Sequence, residues 1–133
     1  MRIIVDTNVL VSGTLSASGP PGWIVEALIA GELECVFDSA ILAEYEDVLS
    51  RRELALPARR VRELVESLES FGFVVTTAPW PESMPDPDDA PFLAAAAAAG
   101  CPLVTGNLRH FPARVRRGVT VVSPRELVDG FAG

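Results

Sequence analysis

Acidic side chains are the residues in this chain whose types and spacing could do chemistry. Asp6 follows directly on Ile3-Ile4-Val5 and is itself followed by Thr7 and Asn8. Asp86, Asp88 and Asp89 fall within one short stretch, just ahead of an alanine-rich segment. Glu44, Glu46 and Asp47 lie between these two groups, and Asn107 offers a further side-chain oxygen. Carboxylate and amide oxygens are hard donors that suit Mg²⁺ or Mn²⁺. Such an ion keeps several waters, can generate a hydroxide nucleophile, and neutralises charge developing on a phosphate. Three carboxylates brought together without a cation would repel, and at least one would stay protonated. Zinc has no obvious site here. Cys35 and Cys101 are the only cysteines, without CxxC spacing, and His110 is the only histidine. His110 reads as a partly exposed loop residue around which no Ser-His-Asp arrangement can be built. Plainer roles compete for the same acids. Asp6-Thr7-Asn8 could simply close a strand as a turn, and Asp86, Asp88 and Asp89 are natural turn and helix-capping residues.

The acids can work together only if the elements that carry them converge. Ile3 to Val5 is a short β-branched run of the kind buried on both faces of a parallel sheet. Ser16 to Gly22 reads as a loop from its breakers. Trp23, Ile24, Leu28 and Ile29 then give a helical spacing, ended by Gly31. Glu34–Phe37 reads as a second strand, and Asp38-Ser39 as a helix start. The helix from Ala40 to Arg51 has the apolar stripe Ile41, Leu42, Tyr45, Val48 and Leu49. At about 100° per residue, Glu44 and Glu46 flank opposite edges of that stripe while Asp47 points away. Either glutamate could reach a crevice. A further helix opens near Pro57, carries Val61, Leu64, Val65, Leu68 and Phe71, and stops at Gly72.

Phe73–Thr76 reads as a third strand. Pro79 to Pro91 holds five prolines and forms a stiff connection. Helix resumes through Phe92, Leu93 and six alanines to Gly100, a smooth face that permits close packing on a sheet. Pro102–Thr105 is a fourth strand ending in Gly106-Asn107, Leu108–Phe111 a helical turn, and Val119–Val122 a fifth strand before a last helix from Pro124. Short buried strands alternating with helices predict a three-layer α/β/α sandwich around a central parallel sheet of four to five strands. Right-handed crossovers bring the ends of the first and fourth strands, Asp6-Thr7-Asn8 and Thr105-Gly106-Asn107, to one edge of the sheet.

Composition bounds the partners. A length of 133 residues predicts a single domain over 1–133, and 49% hydrophobic with 22% charged residues is the balance of an ordered globular protein. The net charge is −7, and all 11 basic residues are arginine. A general polyanion binder is basic. Nucleic-acid contact would therefore need a bound metal or local arginines such as Arg51, Arg52, Arg59, Arg60 and Arg62, which otherwise read as a solvated helix face. Two isolated cysteines read as free thiols of a reducing compartment. Asp6 and Asn8 interrupt what would be the apolar part of a signal peptide, and no apolar run is long enough to cross a bilayer. These features predict a soluble, cytoplasmic protein with no membrane partner.

Four stretches together resemble the PIN-domain ribonucleases, especially the subgroup known as toxin components of toxin–antitoxin pairs. Val5-Asp6-Thr7-Asn8-Val9-Leu10 resembles the family's opening motif. The run Ser39 to Leu49, with Glu44-Tyr45 inside it and Arg51 beyond, resembles the second, in which the acid before Tyr is the ligand; this selects Glu44. Asp86-Pro87-Asp88-Asp89 with Phe92-Leu93 resembles the third, Asp89 being its main acid. Val104-Thr105-Gly106-Asn107 followed by Arg109-His110-Phe111-Pro112 resembles the fourth. The similarity runs from about residue 2 to residue 125. It implies a PIN-like fold, an acidic pocket holding one or two Mg²⁺ or Mn²⁺ ions, metal-dependent endonucleolysis of RNA, a homodimer and an antitoxin partner. Many members carry aspartate at the position of Asn107; asparagine keeps an oxygen but loses a charge.

The expected catalytic residues are Asp6, Glu44 and Asp89, all ligands to the cation. Asp86 and Asn107 assist the metal, Asn8 and Thr105 orient ligands and water, and Arg51, Arg52 or Arg109 contacts the RNA phosphate. The alternative is a PIN-like module that has lost catalysis and serves binding or assembly. An aspartyl-phosphate enzyme using Asp6 is more remote, since the chain has no lysine to partner it.

Overall fold

A computed structural model describes residues 1–132. Five short strands form one sheet: β1 (Arg2–Val5), β2 (Glu34–Phe37), β3 (Phe73–Val74), β4 (Leu103–Val104) and β5 (Val121–Val122). Their order is β3-β2-β1-β4-β5, and every pairing is parallel. The central strands are mostly apolar because both faces of the sheet are covered there: Ile3, Ile4, Val5, Leu103 and Val104 are fully buried, whereas the edge strand β3 is exposed. Flanking amides extend the ladders beyond the strands proper. The N–H of Ile4 donates to Pro102, that of Thr105 to Val122 and that of Val75 to Phe37.

Six helices surround the sheet: α1 (Thr7–Leu15), α2 (Gly19–Ile29), α3 (Ser39–Leu49), α4 (Ala58–Phe71), α5 (Ala90–Ala99) and α6 (Pro124–Ala132). α2 packs against α1, α4 and α6, whereas α5 lies on β1, β2 and β4. The layers are thus α/β/α, as the alternation of elements predicts. Ala94, Ala95 and Ala96 are buried, so the alanine face is the one that approaches the sheet. Gly100 then ends α5 with φ 64°, a left-handed value that favours glycine.

Sequence periodicity misses α1, and the loop expected over residues 16–22 is shorter than it reads. Thr7–Leu15 is rich in β-branched residues and contains Gly13, a poor helix former by propensity. Packing overrides propensity. A Cβ on Gly13 would sit 2.3 Å from the Pro21 carbonyl oxygen and 2.4 Å from Val25, so the glycine lets α1 and α2 touch backbone to backbone. α2 opens at Gly19, four residues before the apolar spacing begins, because prolines in a first helical turn need no N–H. Phe71, expected in the stripe of α4, is 45% exposed at its last turn. Asp38 caps α3 by accepting the Ile41 N–H at 2.8 Å, as its type predicts.

The strand order fixes where a site can form. The chain runs outward from β1 through β2 to β3, crosses back by way of α5, and continues outward from β4 to β5. The direction reverses between β1 and β4, which pair through Ile4 with Leu103 and Val5 with Val104. Segments leaving these two strands diverge, and parallel α/β sheets open a crevice at that point.

Candidate active site

Asp6 is the residue after β1 and Thr105 the residue after β4, so the parallel pairing sets their side chains side by side. Thr105 Oγ1 donates to Asp6 Oδ2 at 2.8 Å, and the Asn107 amide donates back to Thr105 Oγ1 at 3.0 Å. Asp6 is 6% exposed and Thr105 fully buried. Burial pushes the Asp6 pKa up and the nearby charge of Glu44 adds to it, while the hydrogen bonds from Thr105 and the Asn8 backbone pull it down.

Glu44 arrives on α3, and Tyr45 fixes its position. The Tyr45 side chain is completely buried and its hydroxyl donates to the carbonyl of Val5, the last residue of β1. Burial holds that phenol well above its usual pKa. With Tyr45 anchored inward, Glu44 lines the crevice beside Asp6 and accepts a hydrogen bond from Thr7 Oγ1, whereas Glu46 is exposed to solvent. Cys35 Sγ lies 3.8 Å from the Tyr45 hydroxyl, its pKa pushed up to about 12 by burial, which makes it an inert core thiol.

The third contribution comes from the connection before α5. Asp86 caps a 3-10 turn, Pro87–Asp89, by accepting the Asp88 N–H at 3.0 Å. Asp89 makes no such capping bond and is only 8% exposed. Its Oδ2 is buried with no hydrogen-bond partner. Burial, then the charges of Asp6 and Asp86, lift the Asp89 pKa from 3.8 to about 6, with His110 pulling the other way. A buried carboxylate oxygen without a donor is costly, and a cation is the partner that best removes the cost.

His110 is the residue that sequence reasoning left outside the site. A 3-10 turn over Leu108–His110, held by the His110 N–H on the Asn107 carbonyl, brings the imidazole round to the crevice. Its Nδ1 lies 3.0 Å from Asp89 Oδ2. Asp86, Asp89 and His110 each offer a donor atom within 4.8 Å of the other two, the one such group among the described residues. The available signal was its spacing, three residues past Asn107 in a Leu-Arg-His-Phe turn whose Phe111 is fully buried.

Asp6, Thr7, Asn8, Glu44, Arg51, Asp86, Asp88, Asp89 and His110 thus line one open crevice of about 490 Å³. Asp6, Glu44 and Asp89, expected together from far apart in the chain, share it. Asn107 is not among its lining residues and touches it through its amide on Thr105. Arg51 stands on the rim, paired with Asp47 at 2.9 Å. Arg52 lines a separate groove between α3 and α4, and Arg109 is exposed outside the crevice. Arg60 has a structural role: it bonds the Gly13 and Thr14 carbonyls and Glu26, tying α4 to α1 and α2.

Comparison with known proteins bears on the fold and the family. No curated protein matches the chain by sequence. Among solved structures, the fold is similar to a chain in the crystal structure of VapBC2 from Rickettsia felis bound to a DNA fragment from their promoter. The TM-score is 0.61 at 14% identity, covering 92% of this chain and 98% of that one. The family model described as the PIN domain matches residues 2–109. The chain belongs to the PIN-domain family.

Proposed function

We propose that the protein is a metal-dependent endoribonuclease, the toxin of a toxin–antitoxin pair, that hydrolyses RNA phosphodiesters in the crevice at the ends of β1 and β4. The observation that carries this reading is the buried, unpartnered Oδ2 of Asp89 in a crevice lined by Asp6, Glu44 and Asp86. Five carboxylates in one pocket of a chain carrying −7 repel both each other and a polyanion. Oxygen donors of this kind fit Mg²⁺ or Mn²⁺, and the raised pKa values of Asp6 and Asp89 are what such a site shows without its ion.

The chemistry such an ion supplies is Lewis acidity, which acidifies water and offsets charge on a phosphate. Asp6, Glu44 and Asp89 are the residues that would hold it, with Asp86 at the mouth. Thr105 and Thr7 orient the Asp6 and Glu44 carboxylates by donating one hydrogen bond to each. Asn8 spans from the β1 end to the β4 end, its Oδ1 accepting the Gly106 N–H at 3.4 Å. Arg51 is the cation on the rim that can meet a substrate phosphate, at the expense of its exposed pairing with Asp47.

A protein partner belongs to the same reading, supported by the motif resemblance and by the VapBC2 fold likeness; a homodimer rests on the motif resemblance alone. Cleavage of a panel of structured RNAs with Mn²⁺ or Mg²⁺, against EDTA, tests it. Activity should appear only with metal and disappear in Asp6→Asn while thermal unfolding stays cooperative. Cleavage in EDTA, or full Mn²⁺-dependent activity in Asp6→Asn, would refute the assignment; a folded protein with no saturable Mn²⁺ binding at millimolar metal would favour a binding module instead.

A further inference from the structure

Resting on the metal-nuclease reading above, we infer that His110 is itself a ligand to the cation, completing with Asp86 and Asp89 a mixed nitrogen–oxygen site. Three observations carry this. First, Asp86, Asp89 and His110 are the residues whose donor atoms cluster within 4.8 Å, whereas Asp6 and Glu44 line the same crevice without joining a group so compact. Second, Asp89 Oδ2 is buried and has no hydrogen-bond partner, although His110 Nδ1 is only 3.0 Å away. A His–Asp pair that existed for its own sake would aim the ring N–H along that line. Here the two form a close ion-pair contact that lowers the Asp89 pKa yet misses hydrogen-bond alignment, as two ligand atoms turned toward a common third point do. Third, 3.0 Å is the right separation for that arrangement. Adjacent ligands of an octahedral ion with bonds of about 2.1 Å stand about 3.0 Å apart.

The consequence is metal preference. A site of carboxylates and water binds Mg²⁺ as readily as its geometry allows, but an imidazole nitrogen favours first-row transition ions over Mg²⁺. His110 therefore biases this site toward Mn²⁺. The nitrogen arrives on a separate segment, so its loss leaves Asp6, Glu44 and Asp89 in place.

Because His110 is the chain's one histidine, a histidine nitrogen signal has a single possible source in tag-free protein. Pulsed electron paramagnetic resonance on the Mn²⁺-loaded protein should show coupling to an imidazole nitrogen, changed in isotope signature when the histidine is ¹⁵N-labelled. Calorimetric titration should show His110→Ala weakening Mn²⁺ by about 10-fold or more, with a smaller loss for Mg²⁺. Saturable Mn²⁺ binding without histidine coupling, or with equal affinity in His110→Ala, would overturn this inference and leave the carboxylate site standing. Absence of saturable Mn²⁺ binding in the wild-type protein would overturn the metal-nuclease reading itself, and this one with it. The coupling measurement needs no variant, so it decides even if His110→Ala folds poorly.

Discussion

Asp89→Asn should make the metal-free protein more stable at neutral pH, although it removes a residue assigned to the active site. The folded-state pKa of Asp89 is about 6 against an ordinary 3.8, raised first by burial and then by Asp6 and Asp86. The folded protein therefore binds this proton more readily than the unfolded chain does. Stability from the group is fully present below about pH 3.8 and is lost as the pH rises through about 6. A shift of that size corresponds to roughly 3 kcal/mol, at about 1.4 kcal/mol per pKa unit. The start of α5 favours a charge at this position by about 0.3–1 kcal/mol, which leaves a net gain of about 2–3 kcal/mol for the neutral isostere. For a chain of this length that is about 7–10 °C in Tm. The assay is thermal unfolding in EDTA at pH 7.5 and at pH 4, wild type against variant. The gain should be present at pH 7.5 and mostly gone at pH 4, where wild-type Asp89 is already protonated. Mn²⁺ should reverse the order at about 1,000 times its Kd, where ligand adds about 4.1 kcal/mol to a protein that binds it and little to the variant. A metal-free variant no more stable than wild type at pH 7.5 would refute the claim that Asp89 is held in an unfavourable charged state.

Three other substitutions probe the elements around the crevice. Thr105→Val removes the donor to Asp6 and the acceptor of the Asn107 amide. It should cost about 1–3 kcal/mol in urea unfolding and move the pH midpoint of Mn²⁺ binding upward, since Asp6 loses a bond that lowers its pKa. Tyr45→Phe leaves the buried Val5 carbonyl without its donor; the expected loss is about 1–3 kcal/mol in the same assay. Gly13→Ala should be the most damaging. Its Cβ meets the Pro21 backbone at 2.3 Å, and overpacking against backbone costs about 1–3 kcal/mol or more, readable as a fall in Tm with the Mn²⁺ affinity of the remaining folded protein unchanged.

Much of this architecture is legible in the residues themselves, and the exceptions have physical causes. β2 falls on Glu34–Phe37 as read, and α4 is bounded by Pro57 and Gly72 as read, because breakers and a 3.6-residue stripe speak locally. α1 was invisible because its reason for being helical lies in α2, through Gly13, and not in its own periodicity. Angular reasoning on α3 left Glu44 and Glu46 equivalent. The choice depends on which way the stripe is rotated, and that is set by Tyr45 reaching the Val5 carbonyl forty residues earlier in the chain. His110 was legible as a partly exposed loop residue, and it is one. The helical turn over Leu108–Phe111 was legible as well; what could not be read was that it sets the imidazole beside Asp89, a long-range contact that no local pattern announces.

The placement of the acids explains how a stable fold carries them. Asp6 stands one residue beyond three fully buried strand residues, and Asp89 stands just before α5, whose Phe92 and Leu93 are buried against the sheet. Each charge is thus attached to the end of an element whose interior is wholly apolar. Repulsion between these carboxylates pushes on the ends of the elements, at the one-residue step from β1 into α1 and at the 3-10 turn before α5. It does not act on the ladders between β1, β2 and β4. A divalent ion entering the crevice removes the repulsion and satisfies the Asp89 oxygen at once, so its binding free energy includes the relief of strain that folding alone leaves in place. The crevice at the reversal of strand order is the one place where these ends meet, and the parallel pairing of β1 with β4 is what makes them meet there.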